Sequence, residues 1–300
     1  MDNPRLEAMC RKNGIPCEFD HILAPNTSMK IGGPCDAFLR VGSESQLAAA
    51  VAFCREEGMP YFVLGKGSNL LVSSAGFRGC VISLSSASPQ ITVEGGRITA
   101  WAGATLHSVC IAALEHSLTG MEFAYGIPGS VGGALFMNAG AYGGEMRDIV
   151  TACRFIDKSG RICEMSAEDM QLSYRSSVFS QNGGVITSVT MELSHGEREE
   201  IRSRMDELMQ RRRDKQPLEY PSCGSTFKRP EGHYAAALIE ECGLKGFTVG
   251  GAQVSEKHSG FVINRSGATF EDVMAVVEEV RRRVLEQKGI QLECEMLILG

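Results

Sequence analysis

Gly126-Ile127-Pro128-Gly129-Ser130-Val131-Gly132-Gly133-Ala134-Leu135-Phe136-Met137-Asn138-Ala139-Gly140-Ala141-Tyr142-Gly143-Gly144 is the stretch that decides the reading of this chain. Seven of its nineteen residues are glycine and none is charged. Glycine costs conformational entropy, so a chain concentrates it where the backbone takes positive φ or must press against something. A run of unencumbered N–H groups also suits a phosphate, which oriented amides bind. Ile127, Val131, Leu135, Phe136 and Met137 give the run an apolar content that flexible linkers lack. The stretch therefore reads as a ligand-cradling segment.

The common nucleotide and hydrolase patterns are missing around it. No G-x-G-x-x-G follows a strand; Gly65-Lys66-Gly67 comes nearest and lacks the third glycine. There is no P-loop, no H-E-x-x-H and no G-x-S-x-G elbow. The six histidines are dispersed, and no close pair suggests a metal. A nucleotide cofactor, if held here, is held in some other way.

Composition narrows the class further. Three hundred residues with 43% hydrophobic content suggest two domains with a sizeable core. A net charge of −6 argues against a nucleic-acid surface as the main business of the chain. The 11 cysteines form no C-x-x-C pair, so they read as small core hydrophobes in a reducing compartment. The N-terminal Met1-Asp2-Asn3-Pro4-Arg5 lacks the order of a signal peptide, and no apolar stretch reaches membrane-spanning length. The expectation is a cytoplasmic protein, with no membrane insertion and no obligate protein partner.

Local signals give the elements. Ser43 and Gln46 make a capping box for a helix burying Leu47, Ala50, Val51 and Cys54, stopped by Gly58 and Pro60. Tyr61–Leu64 reads as a strand leading into Gly65-Lys66-Gly67-Ser68-Asn69, a turn that presents backbone. Strands follow at 80–84, 91–94 and 97–102, a helix at 105–117, and strands at 153–156, 162–165 and 185–193. A charged helix is expected over 197–216, ending at Pro217, with Arg211-Arg212-Arg213 as its solvated end. Beyond it come a helix at 234–242, strands at 252–254 and 260–264, and a helix capped by Thr269 and Asp272 that ends at Gly289. A final strand is expected over 290–299.

Five motifs, in order, carry a family resemblance. They are Leu64-Gly-Lys-Gly-Ser-Asn-Leu-Leu-Val72, the glycine run, Tyr174-Arg-Ser-Ser-Val-Phe179, Ser222-Cys-Gly-Ser-Thr-Phe-Lys228 and Leu292-Glu-Cys-Glu295. With Asn26-Thr-Ser-Met-Lys-Ile-Gly-Gly-Pro34, they make the chain resemble the UDP-N-acetylenolpyruvoylglucosamine reductase (MurB) family over nearly its whole length. The resemblance implies an α+β protein. Its first part would have the FAD-binding fold of the vanillyl-alcohol oxidase/p-cresol methylhydroxylase type, in two α/β subdomains. A C-terminal α/β substrate-binding domain would follow. On this reading residues 1–196 bind FAD, with subdomains at 1–75 and 76–196, and residues 197–300 bind substrate. Only fifty positions separate Arg175 from Ser225, as in the family's shorter class, which lacks an inserted tyrosine loop.

The resemblance also assigns roles. It implies an NADPH-dependent flavin oxidoreductase, a UDP-N-acetylmuramate dehydrogenase of peptidoglycan precursor synthesis. Its FAD would be non-covalent, its co-substrate NADPH and its substrate a UDP-sugar enolpyruvyl ether. Arg175 would bind and polarise the substrate carboxylate, which suits a planar guanidinium fork. Glu295 would stand beside that carboxylate, and Ser225 would donate a proton; a free serine hydroxyl is a poor acid, and Lys228, three residues on, is by position a candidate partner to tune it. FAD would be held by Gly65, Lys66, Gly67, Ser68 and Asn69, and by Gly126, Pro128, Gly129, Ser130, Gly132, Gly133, Asn138 and Gly140. Tyr142, Lys228, Lys257 and His258 are the candidate substrate contacts. Two rivals remain. One is another FAD oxidoreductase of this cofactor fold acting on an alcohol or sugar, with His107 or Cys110 as a covalent tether; the other is a non-catalytic nucleotide-binding protein.

Overall fold

The computed structural model describes residues 3–84 and 90–300, so Met1 and Asp2 of the N-terminal run lie outside the described residues. Helix ends follow local chemistry. Asn3 caps α1 (Pro4–Asn13), which closes on Gly14 at φ 62°. In α2 (Glu44–Glu56) the Ser43 hydroxyl accepts the Gln46 N–H as the box predicts, while the Gln46 side chain takes the N–H of Gly42. Thr105 caps α3 (Leu106–Glu115) and Ser130 caps the short α4 (Val131–Phe136). Next come α5 (Phe179–Asn182), α6 (Arg198–Lys215) and α7 (Ala235–Glu241). In α8 (Phe270–Lys288) both halves of the Thr269–Asp272 box form, and Gly289 ends it at φ 70°.

The chain divides into two units. The first is drawn from Met1–Phe19, Asp36–Lys66 and Gly79–Arg212; the second from Asp20–Cys35, Gly67–Arg78 and Arg213–Gly300. One four-stranded sheet runs in the order Cys17–Ile22, Pro34–Val41, Phe77–Leu84, Tyr61–Leu64. Within the first unit an antiparallel five-stranded sheet follows the order Ile162–Ser166, Val150–Ile156, Val185–Glu192, Arg97–Trp101, Ile91–Glu94. The first unit's core joins Leu47, Val51 and Cys54 of α2 to Leu106, Val109 and Leu114 of α3. In the second unit Val273, Val276, Val277, Val280 and Val284 form the buried stripe of α8, at the spacing the sequence shows. Strands Thr248–Val249, Ala252–Val254 and Val262–Asn264 make its small antiparallel sheet.

Two elements differ from expectation. The strand expected over 290–299 is a strand only at Leu297–Leu299, parallel to Leu70–Val72. Upstream of that strand the segment pairs instead with residues 226–228, through an isolated Phe227–Cys294 bridge and the Lys228 N–H on the Glu293 carbonyl. One stretch thus changes partner midway, so no single ladder spans it. The strands Cys17–Ile22 and Pro34–Val41 are not among the expected elements, although Glu18, Asp20, Asp36 and Arg40 alternate with more covered residues as a half-buried strand requires.

The glycine run enters α4 hard against the five-stranded sheet. Val131 and Gly132 donate their N–H groups to the carbonyls of Ala104 and Ala102, both at 2.8 Å. A Cβ on Gly132 would stand 2.7 Å from that of Ala102, whereas one on Gly129 would meet Leu106 at an ordinary 3.6 Å. Gly132→Val is therefore expected to destabilise the first unit by about 1–3 kcal/mol, the usual cost of overpacking. Denaturant unfolding should show a lowered midpoint for Gly132→Val and little change for Gly129→Ala.

Candidate active site

The loop after strand Tyr61–Leu64 carries the clearest anion-binding signature. Among the described residues, none of the N–H groups of Gly65, Lys66, Gly67, Ser68 and Asn69 has a protein acceptor. The Lys66 side chain is exposed. Consecutive amides with no internal acceptor form a concavity for a charged oxygen, and a lysine beside them offsets phosphate charge. Gly65 packs directly on the Ser130 hydroxyl, so close that no side chain fits there. Within the first unit this sets Gly65 against the glycine run.

The amides of the glycine run itself are mostly engaged. Besides Val131 and Gly132, the Gly133 N–H reaches the Ser130 hydroxyl at 3.3 Å. Gly132 is thus packed against protein and Gly133, although exposed, has its N–H turned to the helix cap, while the 65–69 loop offers the open donors. Past α4, a hairpin pairs Gly140–Ala141 with Gly144–Glu145. Tyr142 and Gly143 form its two-residue tip at φ 54° and 92°, which leaves Tyr142 37% exposed.

Asn138 is fully buried, and its amide is fully used. Its Nδ2 donates to Glu145 Oε2 and to the Ser173 carbonyl, both at 3.0 Å, and its Oδ1 accepts the Arg147 N–H at 2.9 Å. Ser173 and Ser176 bond each other across a tight turn that holds Arg175 at φ 54°. The Arg175 guanidinium lies over the Tyr174 ring and reaches the Gly140 carbonyl at 3.4 Å. Asn138 therefore positions the turn bearing Arg175.

One residue here was hidden in the sequence. The Arg211–Arg213 run reads as a solvated helix end, and Arg211 fits, pairing with Glu207 at 2.5 Å. Arg212 does not. It is half-buried against Gly126 and Met209, and no hydrogen bond or ion pair satisfies it among the described residues. Desolvation lowers its pKa, partly opposed by Tyr142. A desolvated cation without a partner is costly unless a ligand supplies the charge. Only the fold reveals that Arg212, alone of the three, turns inward at the Gly126 end of the run.

The second unit holds Ser225 and Glu295 on adjacent segments. The Glu295 N–H donates to the Thr226 carbonyl at 2.8 Å, and the Asn69 side chain donates to the Glu295 carbonyl at 3.0 Å. Gly224, at φ 74°, turns the chain before Ser225, whose hydroxyl has no partner among the described residues. Thr226 is tied down by its N–H on the Gly260 carbonyl and by its hydroxyl under the Val262 N–H. Lys228 pairs with Glu293 at 3.3 Å. Lys257 donates to the Arg213 carbonyl at 2.6 Å and lies 3.7 Å from Glu219. His258 is half-buried against Phe261, with Nδ1 accepting the Gly260 N–H at 3.1 Å. Of the tether candidates, His107 stacks on Tyr125, and Cys110 is buried with its thiol on the Met121 carbonyl.

Comparison with known proteins gives the family. Residues 216–299 match the UDP-N-acetylenolpyruvoylglucosamine reductase C-terminal domain, and residues 35–166 match an FAD binding domain. The chain is 46% identical over 299 residues to a UDP-N-acetylenolpyruvoylglucosamine reductase of Clostridium novyi, covering 99% of this chain and 96% of that one. The chain belongs to this reductase family. A second member, from Caldanaerobacter subterraneus subsp. tengcongensis, is 50% identical and covers 92% of this chain and 91% of its own. The crystal structure of the Thermus caldophilus reductase superposes with a TM-score of 0.81 at 34% identity, covering 95% and 99% of the two chains. The expected α+β FAD-binding fold is borne out, and as a member of this family the chain is an FAD-dependent oxidoreductase. Within the first unit the open amides of Gly65 and Lys66, the exposed Lys66 side chain and, separately, the unpaired Arg212 are groups of the kind an anionic dinucleotide needs. Among the described residues no helix is long and apolar enough to cross a membrane, and no His, Cys, Asp and Glu cluster suits a metal.

Two outcomes follow. Arg212→Met should weaken FAD retention about 10- to 100-fold, the scale of a lost charged hydrogen bond; the flavin-to-protein absorbance ratio after dialysis reads it. His258 has its pKa lowered by desolvation. The unfolded chain then binds a proton more readily than the folded one, so stability falls as pH drops below the ordinary histidine range. Thermal unfolding should show this loss between neutral and mildly acid pH, and His258→Gln should flatten that part of the pH profile.

Proposed function

We propose that this chain reduces the enolpyruvyl ether of UDP-N-acetylglucosamine to UDP-N-acetylmuramate with NADPH, for peptidoglycan precursor synthesis. One observation carries the reading: an unpartnered Ser225 hydroxyl on a segment hydrogen-bonded to that of Glu295. When bound, FAD supplies the hydride carrier between nicotinamide and substrate.

The chain's own groups do the rest. Arg175, preset by Asn138, grips the substrate carboxylate and offsets negative charge developing beside it. The carbon next to that carboxylate must gain a proton, and the Ser225 hydroxyl delivers it. Glu295 is assigned the part of orienting that carboxylate. The 65–69 loop and Lys66 hold the cofactor pyrophosphate, and Arg212 answers negative charge at the Gly126 end. Tyr142, at its hairpin tip, offers an aromatic face to the UDP-sugar or the nicotinamide.

Ser225→Ala tests this. Under anaerobic conditions NADPH should still bleach the bound flavin at nearly the native rate. Reoxidation by the enolpyruvyl substrate should fall by roughly 10²–10⁴, the usual worth of a general acid. Equal loss in both half-reactions would remove Ser225 as proton donor. A native protein reoxidised by oxygen alone would overturn the substrate assignment.

A further inference from the structure

Three non-glycine residues at positive φ fall within one bonded group of the first unit: Asn138 at 41°, Tyr142 at 54° and Arg175 at 54°. Residues with a side chain stay in that region only where their surroundings fix them. The fixing contacts converge on Glu145. Its side chain is 21% exposed, and it stands opposite Gly140 in the hairpin, where a Cβ would come within 2.7 Å of its own. Its Oε2 accepts the Asn138 Nδ2 at 3.0 Å, its Oε1 pairs with the Arg147 guanidinium, and its N–H donates to the Asp148 carboxylate at 2.9 Å.

The turn bearing Arg175 is tied at both ends. At one end the Ser173 carbonyl takes the Asn138 Nδ2 at 3.0 Å. At the other, Ser177 is 2% exposed and its hydroxyl donates to the Phe136 carbonyl at 2.7 Å. Between them the Arg175 Nη2 reaches the Gly140 carbonyl at 3.4 Å. Glu145 therefore meets this turn along two short routes, one through the Asn138 amide and one through Gly140.

We propose that Glu145 is a positioning residue for Arg175, and that it acts through the reach of its carboxylate rather than through its charge. An asparagine amide has two orientations, related by exchange of its oxygen and its NH2. The Glu145 carboxylate only accepts, and so does the Ser173 carbonyl, so both select the orientation that points Nδ2 at them. Turned over, Oδ1 would face two acceptors and Nδ2 would face the Arg147 N–H, which leaves buried groups unpaired. Glu145 thus locks the amide, the amide locks Ser173, and the turn keeps Arg175 in its left-handed conformation. The ion pair with Arg147 adds little, because the Arg147 side chain is 56% exposed. The consequence for catalysis rests on the proposed function, in which Arg175 grips the substrate carboxylate; the lock itself is measurable without substrate.

Two conservative variants of the full chain, with FAD bound, separate reach from charge. Glu145→Gln keeps the length and an acceptor oxygen but loses the charge. Glu145→Asp keeps the charge and withdraws the carboxylate by one methylene. Hydrogen exchange read by peptide mass needs no substrate. The peptide spanning 173–178 should exchange roughly 10-fold faster in Glu145→Asp, the scale of a lost hydrogen bond, and at the native rate in Glu145→Gln. The five-stranded sheet should stay equally protected in both. In anaerobic reoxidation of the NADPH-reduced flavin, Glu145→Asp should raise the enolpyruvyl substrate concentration giving half-maximal rate by a similar factor. Its bleaching by NADPH should not change, and Glu145→Gln should match the native protein. In an Arg175→Met background the Glu145→Asp shift should vanish, since the effect passes through that side chain. The proposal is overturned if the 173–178 peptide exchanges alike in all three proteins, or if Glu145→Gln behaves as Glu145→Asp does. Loss of sheet protection in Glu145→Asp, or a shift that persists without Arg175, would mark a general structural role and overturn it too. A native flavin that the enolpyruvyl ether fails to reoxidise removes the substrate reading instead, and the exchange rates alone then decide the lock.

Discussion

Backbone N–H groups usually find an acceptor in the fold when they are covered, and residues 65–69, with Gly67 buried, present five in succession that have none in the protein. Holding such a loop open costs backbone entropy and leaves donors idle until a ligand arrives. The chain meets that cost at both ends. On one side Tyr61–Leu64 runs parallel to residues 80–83; on the other Leu70–Val72 runs parallel to Leu297–Leu299. Asn69 adds a side-chain bond to the Glu295 carbonyl, so the residue ending the loop also fixes a proposed catalytic residue. The end of the loop and the segment bearing Glu295 are thus tied by one hydrogen bond.

The contrast between two sets of arginines shows what the charges do. On α8, Arg281, Arg282 and Arg283 lie within one helical turn or so of Glu278, Glu279 and Glu286, and the Glu279 carboxyl is pulled down to about 2 by its two arginines. These pairs lie at the surface, partly or fully exposed, and water screens them. Arg212 is the opposite case: half-buried, undercompensated and placed by the end of α6 rather than by a carboxylate. The first set is balanced by carboxylates along its own helix, and Arg212 has no countercharge among the described residues.

Much of this was legible in the sequence because helix signals are local. Ser43, Thr105 and Thr269 each cap a helix within three residues, and the valines of α8 repeat at the period that buries one face. The family motifs were legible for a similar reason, since each is a short run held in order along the chain. What stayed hidden depends on partners far away. Whether a glycine amide is open or engaged turns on Ala102 and Ala104, about thirty positions upstream of the α4 glycines. Which arginine of three turns inward depends on where α6 meets Gly126. The final segment looked like one strand because nothing in it records that it would change partners between Cys294 and Leu297.

Asn138 carries a consequence for the ageing of the enzyme. Its amide gives two donors to two acceptors, Glu145 Oε2 and the Ser173 carbonyl. Hydrolysis of that amide to a carboxylate changes almost no volume, yet it would set oxygen against oxygen at both contacts. The turn bearing Arg175 would lose its anchor while the cores of both units stayed intact. Heat inactivation by this route would leave a folded, flavin-bearing protein with the Arg175 turn loosened, and the chemical survival of one buried side chain would set its pace.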